Sequence, residues 1–245
     1  MDGSRWLAGL TCLALTAQTP PPADPMLAAS KAFEEGRYLD GVNGFAAAAF
    51  GTRGKVRDDD FALQMWSQTS PTITGELPMD TFSRTSTSSP DVGWVASVRR
   101  ARSRDALTEI VRSARSTNIV ILNEAHYSPR DRAFGLTVAN ALRPLGYDTL
   151  AVETFDSEVM SKGPNIAQLA ADGVVRRQTG YFTQDPVFAG FIREAMRSGY
   201  RPVAYEQTEA QRGGGAANIA RREQAQTDNL MARVFAAKPL AKVLI

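Results

Sequence analysis

The sequence predicts an α/β fold, a parallel sheet with helices on both faces, preceded by a small helical N-terminal region. Two observations predict it. From residue 105 onward, apolar runs alternate regularly with helical stretches. Each run is continuous rather than alternating, which is the pattern of parallel strands buried on both sides. The connections between such strands should be right-handed crossovers.

The elements follow in order. P-P-P-A-D-P reads as a stiff linker. The stretch from Met26 to Phe50 reads as two short helices with Gly36 as the break between them. It resembles one helical-repeat hairpin, and a solenoid needs three or more copies, so a packing accessory is expected. Residues 59–66 suit a further helix. S-Q-T-S-P-T-I-T-G-E-L-P and S-R-T-S-T-S-S-P-D then read as a polar connection. The basic cluster V-R-R-A-R-S-R, residues 98–104, reads as solvated surface.

Asp105 is placed to cap a helix running to Arg115, which leads into strand I-V-I-L. Pro129 to Leu142 reads as a helix, followed by strand T-L-A-V-E. A helical region interrupted by G-P and by G-Y-F-T-Q-D-P comes next. Pro186 to Arg197 is a helix with Gly199 near its end, and strand P-V-A-Y-E follows. The loop T-E-A-Q-R-G-G-G leads to a long helix from about Asn218 to Ala236. A-K-V-L-I begins a fourth strand, and its buried-strand pattern at the chain end suggests a C-terminally truncated chain. The expected organisation is therefore three parts. Residues 1–23 form a signal-peptide-like segment and linker, 24–100 a helical region with a polar connection, and 101–245 an incomplete α/β domain.

Composition excludes several functions. With 28 basic and 26 acidic side chains the net charge is +2, so nothing points to nucleic acid or an anionic membrane surface. The single cysteine, Cys12, rules out an internal disulfide, and with a single histidine no Cys/His zinc cage is possible. No run reaches the roughly 18 apolar residues of a transmembrane span. Residues 6–17, W-L-A-G-L-T-C-L-A-L-T-A, match a signal-peptide apolar core, although Arg5 is the only basic residue before it. Export to the periplasm or exterior is expected, or a cytoplasmic location if that segment is a mis-annotated start.

The informative feature is positional. The three strands end in Glu124, Glu153 and Glu206, and His126 lies two residues beyond the first. Ligands of open parallel sheets bind at the carboxyl ends of strands. The three carboxylates and the histidine should therefore converge on one edge. If the chain stays extended, Glu124 and His126 point the same way. Clustered carboxylates repel, so at least one should titrate nearer neutrality. Two chemistries suit the set. His126, held by a carboxylate, can activate a water as general base. Alternatively Glu124, His126 and Glu153 can hold a divalent cation. The motifs G-x-S-x-G, G-x-G-x-x-G and G-x-x-x-x-G-K-[ST] are absent. The Gly213-Gly214-Gly215 run reads as a flexible loop or as the hinge of a lid over the strand ends.

I-V-I-L-N-E-A-H followed by a helix and L-A-V-E-T-F resembles the erythromycin esterase-like, ChaN-like and Tiki superfamily. So do G-Y-F-T-Q-D-P-V-F-A-G-F-I-R-E-A with G-Y-R-P-V-A-Y-E, and R-R-E-Q-A-Q-T-D-N-L-M, which is similar to an Arg-Glu-x-x-x-x-x-Asn helix of the esterase branch. The resemblance covers roughly residues 105–245. It implies His126 as general base, Glu124 as its orienting partner or a metal ligand, and Glu153 as the second-strand carboxylate. It also implies that Glu206 and Arg222 line the same cleft, with Arg222 stabilising an oxyanion or binding a carboxylate. Asn123 departs from the family, which usually has Gly there. A further histidine that members place after the strand corresponding to A-K-V-L-I has no counterpart in this sequence. Members of the superfamily hydrolyse esters, bind haem or iron, or act as metal-dependent proteases. The expected activity is hydrolysis of an ester or amide in a small-molecule substrate, with no cofactor or a divalent metal. The alternative is haem or iron binding without catalysis.

Overall fold

The structure is a computed structural model of the chain, and it describes residues 24–51, 54, 60–75, 92–155, 165–213 and 218–245. The signal-peptide-like segment, Cys12, the Ser/Thr-rich stretch 83–91 and Gly214 and Gly215 lie outside these residues.

The N-terminal region is a pair of antiparallel helices with a short extension. Asp24 caps α1 (Pro25–Glu34) by accepting from the Met26 amide at 2.9 Å, and Pro25 takes the first turn, where its missing N–H is not needed. Gly36, at φ +80°, makes the break that the sequence suggests, because a Cβ is disfavoured in that region. The second helix, α2 (Tyr38–Ala49), packs back on α1 through Ala29, Phe33, Val42 and Phe45. The next helix, α3 (Asp60–Thr69), closes the group through Ala62 and Leu63, which pack with Ala49. It runs past residue 66 into the segment expected to be a polar connection. A further turn, α4 (Pro71–Thr74), follows. The Ser and Thr side chains here do not break the helix. Ser67 and Thr69 bond back to the carbonyls of Gln64 and Met65 at 2.7 Å each, so their polar groups are satisfied within it. The basic cluster closes α5 (Val92–Arg100) and is exposed.

The second half forms the predicted parallel sheet. Its strands are β1 (Ile119–Val120), β2 (Thr149–Ala151), β3 (Arg201–Val203) and β4 (Val243–Leu244), in the order β1-β4-β2-β3 with every pairing parallel. Helices α6 (Ala106–Ala114), α7 (Pro129–Leu142) and α9 (Pro186–Arg197) cover one face, with α8 (Asn165–Asp172) beside them, and bury Leu142, Leu150, Ile192 and Leu244. Asp105 caps α6 as predicted, accepting from the Thr108 amide at 2.8 Å. Helix α10 (Asn218–Leu230), continued by a π-turn to Phe235, covers the other face over Ala151, Val203 and Val243.

This division follows from the strand order. The chain moves one way across the sheet from β1 to β2 to β3, then turns back to β4. Right-handed crossovers put helices on opposite faces when the direction reverses. The reversal makes the gap between β2 and β3 a switch point, where the chain leaves one strand toward one face and its neighbour toward the other.

One expectation needs correction. The first strand, read as a buried run, is a sheet edge. Ile119 is 40% exposed and Ile121 68% exposed. They point to the face covered by α10, and that helix packs over β2, β3 and β4 without reaching the edge. Val120 and Leu122, on the other face, join the core. Among the described residues no helix is long and apolar enough to cross a membrane.

Candidate functional site

All five residues singled out from the sequence lie on one edge of the sheet. Glu124, Glu153 and Glu206 leave the carboxyl ends of β1, β2 and β3. His126 Nδ1 is 3.4 Å from Glu124 Oε1, and its Nε2 is 3.9 Å from Glu153 Oε2. The imidazole therefore spans the gap that β4 opens between the first and second strands.

Glu153 in turn meets Arg222, and Arg222 meets Glu206 through Nε at 3.1 and 3.0 Å and through Nη2. The result is one continuous chain, Glu124–His126–Glu153–Arg222–Glu206. Arg222 closes it at the β2–β3 switch point, and this placement has a local cause. Residues 222, 226, 229 and 233 are three or four apart, so they share the face of the helical run that lies on the sheet. Gln226 donates to Glu206 at 3.0 Å. Asn229 donates to the carbonyls of Tyr205 and Glu206 at 3.1 and 2.9 Å. Arg233 donates to the Ala204 carbonyl at 2.7 Å. Four polar side chains thus fasten the end of β3 to the helix.

The electrostatics differ from the expected repulsion. Burial raises the Glu206 pKa, but hydrogen bonds from Arg222, the Gln207 amide and Gln226 outweigh it and hold the carboxyl below its ordinary value. The hydrogen bond to Glu206, foremost, with that to Glu153, raises the Arg222 pKa further above its ordinary value. Arg222 is shared between Glu153 and Glu206 through its Nε and Nη2, so these two nitrogens are already engaged by the protein's own carboxylates. Tyr205, on the cavity wall, is pushed up to about 12, first by burial and then by Glu153 and Glu206. Its hydroxyl keeps its proton at neutral pH and remains a hydrogen-bond donor.

Sequence reading missed a second arginine. Arg132, from the first turn of α7, donates to both oxygens of Glu124 at 3.1–3.2 Å and to the carbonyl of His126 at 3.0 Å. It also meets Asp185, with Phe188 and Phe182 at 4.9 and 5.4 Å from its guanidinium carbon. Asp185 has a second duty. Its other oxygen caps α9, accepting from the Val187 and Phe188 amides at 2.7 and 3.2 Å. The sequence signal for Asp185 was the D-P step before a helix. Arg132 carried none, since an arginine in a first helical turn usually faces water.

Phe182 stacks on the His126 ring, with centroids 4.4 Å apart and planes at 28°. Its segment is held close by Gly180, which forms a bridge with Phe155. A Cβ on Gly180 would fall 1.8 Å from the Thr154 carbonyl oxygen, so only glycine fits there. The Phe182 amide donates to the Thr154 hydroxyl at 2.7 Å. The N-terminal helices back this segment. Arg177 donates to the carbonyl of Phe33, and Tyr181 Oη lies 3.4 Å from Met65 Sδ.

The histidine and its carboxylates border a cavity of about 210 Å³. Its walls include Leu122, Leu150, Phe188, Phe191 and Leu244. Asn123 is exposed on its rim.

Glu124, His126 and Glu153 do not fit a single metal ion as arranged. Glu124 faces one ring nitrogen and Glu153 the other, and one cation can take only one of them. Among the described residues no three His, Cys, Asp or Glu side chains gather as a metal cage.

No family model matches the chain, and no curated protein matches it. The chain is similar to a solved structure described as "Bacterial protein toxins", with a TM-score of 0.44 and 14% identity. The match covers 90% of this chain and 49% of that one, so the chain spans about half of that structure's length.

Proposed function

We propose that the protein is a hydrolase in which His126 activates a water against an ester or amide. The observation that carries this reading is the placement of one imidazole between two carboxylates at the mouth of an apolar cavity. Glu124 accepts from the Nδ1 side and fixes the tautomer, leaving Nε2 to take a proton. A water bonded to both Nε2 and Glu153 fits the 3.9 Å between them as the apex of a triangle. Arg132 holds Glu124 in place, and Phe182 fixes the ring plane by stacking. Tyr205 is a neutral donor on the cavity wall, the type of group that stabilises a developing oxyanion.

The helix that carries Arg222, which resembles one of the esterase branch, supports the same reading, within an order of motifs that resembles the wider erythromycin esterase-like, ChaN-like and Tiki superfamily. Nothing in the site favours the haem alternative. The cavity is small, and both ring nitrogens of His126 face carboxylates rather than an open slot. The test is turnover of a panel of aryl and alkyl esters. His126→Ala should lower kcat/KM by about 10²–10⁴, the range of general-base catalysis, with an unchanged circular dichroism spectrum. Turnover equal to wild type would sink the proposal.

A further inference from the structure

The cavity beside His126 has a size and a charge, and together they describe what it takes. Its deep wall is apolar. Leu150 and Leu244 are 1% exposed, Phe188 is 5% and Phe191 8%, and Gly135 opens space because a Cβ there would press on the Phe191 ring at 3.2 Å. Its volume of about 210 Å³ lies below the roughly 300–1,000 Å³ of pockets that hold drug-sized ligands. An apolar cavity of about 150 Å³ is enough for one benzene ring. The space therefore suits a single ring or a short branched chain.

The charge is one-sided. Glu124, Asp131 and Glu153 line the cavity with Arg132 as the one guanidinium among the lining residues. Arg132 is consumed by Glu124 and Asp185, and Arg222, which reaches Glu153, is shared with Glu206. Among the described lining residues, an anionic group entering here would meet three carboxylates and one guanidinium that is already paired.

We infer that this cavity is a specificity pocket for a compact aryl or branched-alkyl group that is neutral or cationic, and that it rejects carboxylates of the same shape. The assignment rests on the hydrolase reading for the bond that is cleaved, with the pocket holding the group next to that bond. It does not rest on that reading for binding. The Leu150–Phe191 floor receives the ring, and the polar end of the group faces Glu124, His126 and Glu153.

The test uses three planar probes of nearly one shape: benzamide, benzamidine and benzoate. Binding to the 245-residue chain is followed by ligand-observed NMR and by calorimetry. Benzamide and benzamidine should bind saturably, and benzoate about tenfold more weakly or worse, because like charges brought together are strongly unfavourable. 1-Naphthamide should bind more weakly than benzamide to the wild type, and Phe191→Leu should reverse that preference. Benzoate binding as tightly as benzamide overturns the assignment, as does failure of benzamide and benzamidine to bind. A wild type that binds 1-naphthamide as well as benzamide overturns the size limit. The wild-type series decides the matter if Phe191→Leu does not fold. The two readings fail separately. Benzamide binding without turnover of any ester removes the hydrolase and leaves the pocket. Ester turnover with equal binding of benzamide and benzoate does the reverse.

Discussion

Two arginines neutralise the carboxylates at the strand ends, and they do so in opposite settings. Arg132 has a side chain 2% exposed, bonded to Glu124, Asp185 and the His126 carbonyl and flanked by two phenylalanine rings. Arg222 has a side chain 41% exposed and bonds only carboxylates, Glu153 and Glu206. The first ties β1 to α7 and α9 and fixes the histidine loop from below. The second closes the rim from a helix that follows the glycine loop. A buried charge is costly to orphan, whereas a rim charge is shared with water. The site therefore has a rigid half, which sets the geometry of His126, and an adjustable half, which sets the charge around Glu153.

That contrast can be broken at its strongest point first. Arg132→Ala strands Glu124 and Asp185 without their partner and should cost about 3–5 kcal/mol, as when one member of a buried ion pair is removed. For a chain of this size that is a fall in melting temperature of roughly 6–20 °C, measured by calorimetry. A shift within a degree or two would show that this half is not rigid.

Gly180→Ala acts on the same half through packing alone. The added Cβ meets the Thr154 carbonyl oxygen, so the segment carrying Phe182 must move. Overpacking of this kind costs about 1–3 kcal/mol. The His126 resonances should shift as the stacked ring leaves. An unchanged imidazole environment would count against Phe182 as the element that fixes it.

Arg222→Ala should be milder for stability, about 1 kcal/mol, since more than a third of its side chain is in water. Its effect on ester turnover should exceed its effect on melting. The reverse order would make it a structural clamp like Arg132.

The smallest effect is a dependence on pH. Glu206 has a folded pKa below its unfolded value, because the bonds from Arg222, Gln207 and Gln226 outweigh the opposing effect of burial. A depressed carboxylate contributes its stabilisation above the ordinary value of 4.5. The contribution is lost as pH falls below that value through Glu206's own, lower one. Glu206→Gln should flatten the acid limb of a melting-temperature profile below that point. A profile identical to wild type would place the acid sensitivity elsewhere.

Most of the site was legible in the strands themselves. An apolar run that ends in a carboxylate places that carboxylate at the strand's end whatever the rest of the fold does. Glu124, Glu153 and Glu206 announce themselves by this rule, and His126 by its position two residues on. Arg222 entered through the resemblance of its helix. The partners that give these residues their chemistry were not legible. Nothing local marks Arg132 as buried, because a guanidinium becomes tolerable inside only when distant carboxylates and rings arrive to meet it. Phe182 reads as an ordinary aromatic until Gly180 brings its segment against Thr154. The helix content of residues 67–74 was hidden for a similar reason, since Ser67 and Thr69 bond to their own helix rather than to a turn.

The sequence by itself determined the α/β class, the alternation of elements and the end of the sheet at which polar groups collect, because periodicity and chain direction are local properties. The tertiary structure decided the strand order, the exposure of β1 at the edge, and which arginine is buried and which lies on the rim. Those depend on contacts between residues tens of positions apart, such as Arg132 with Asp185 and Arg222 with Glu153. Only the folded chain brings such groups together, and only their proximity decides whether a charge is desolvated, shared or left to water.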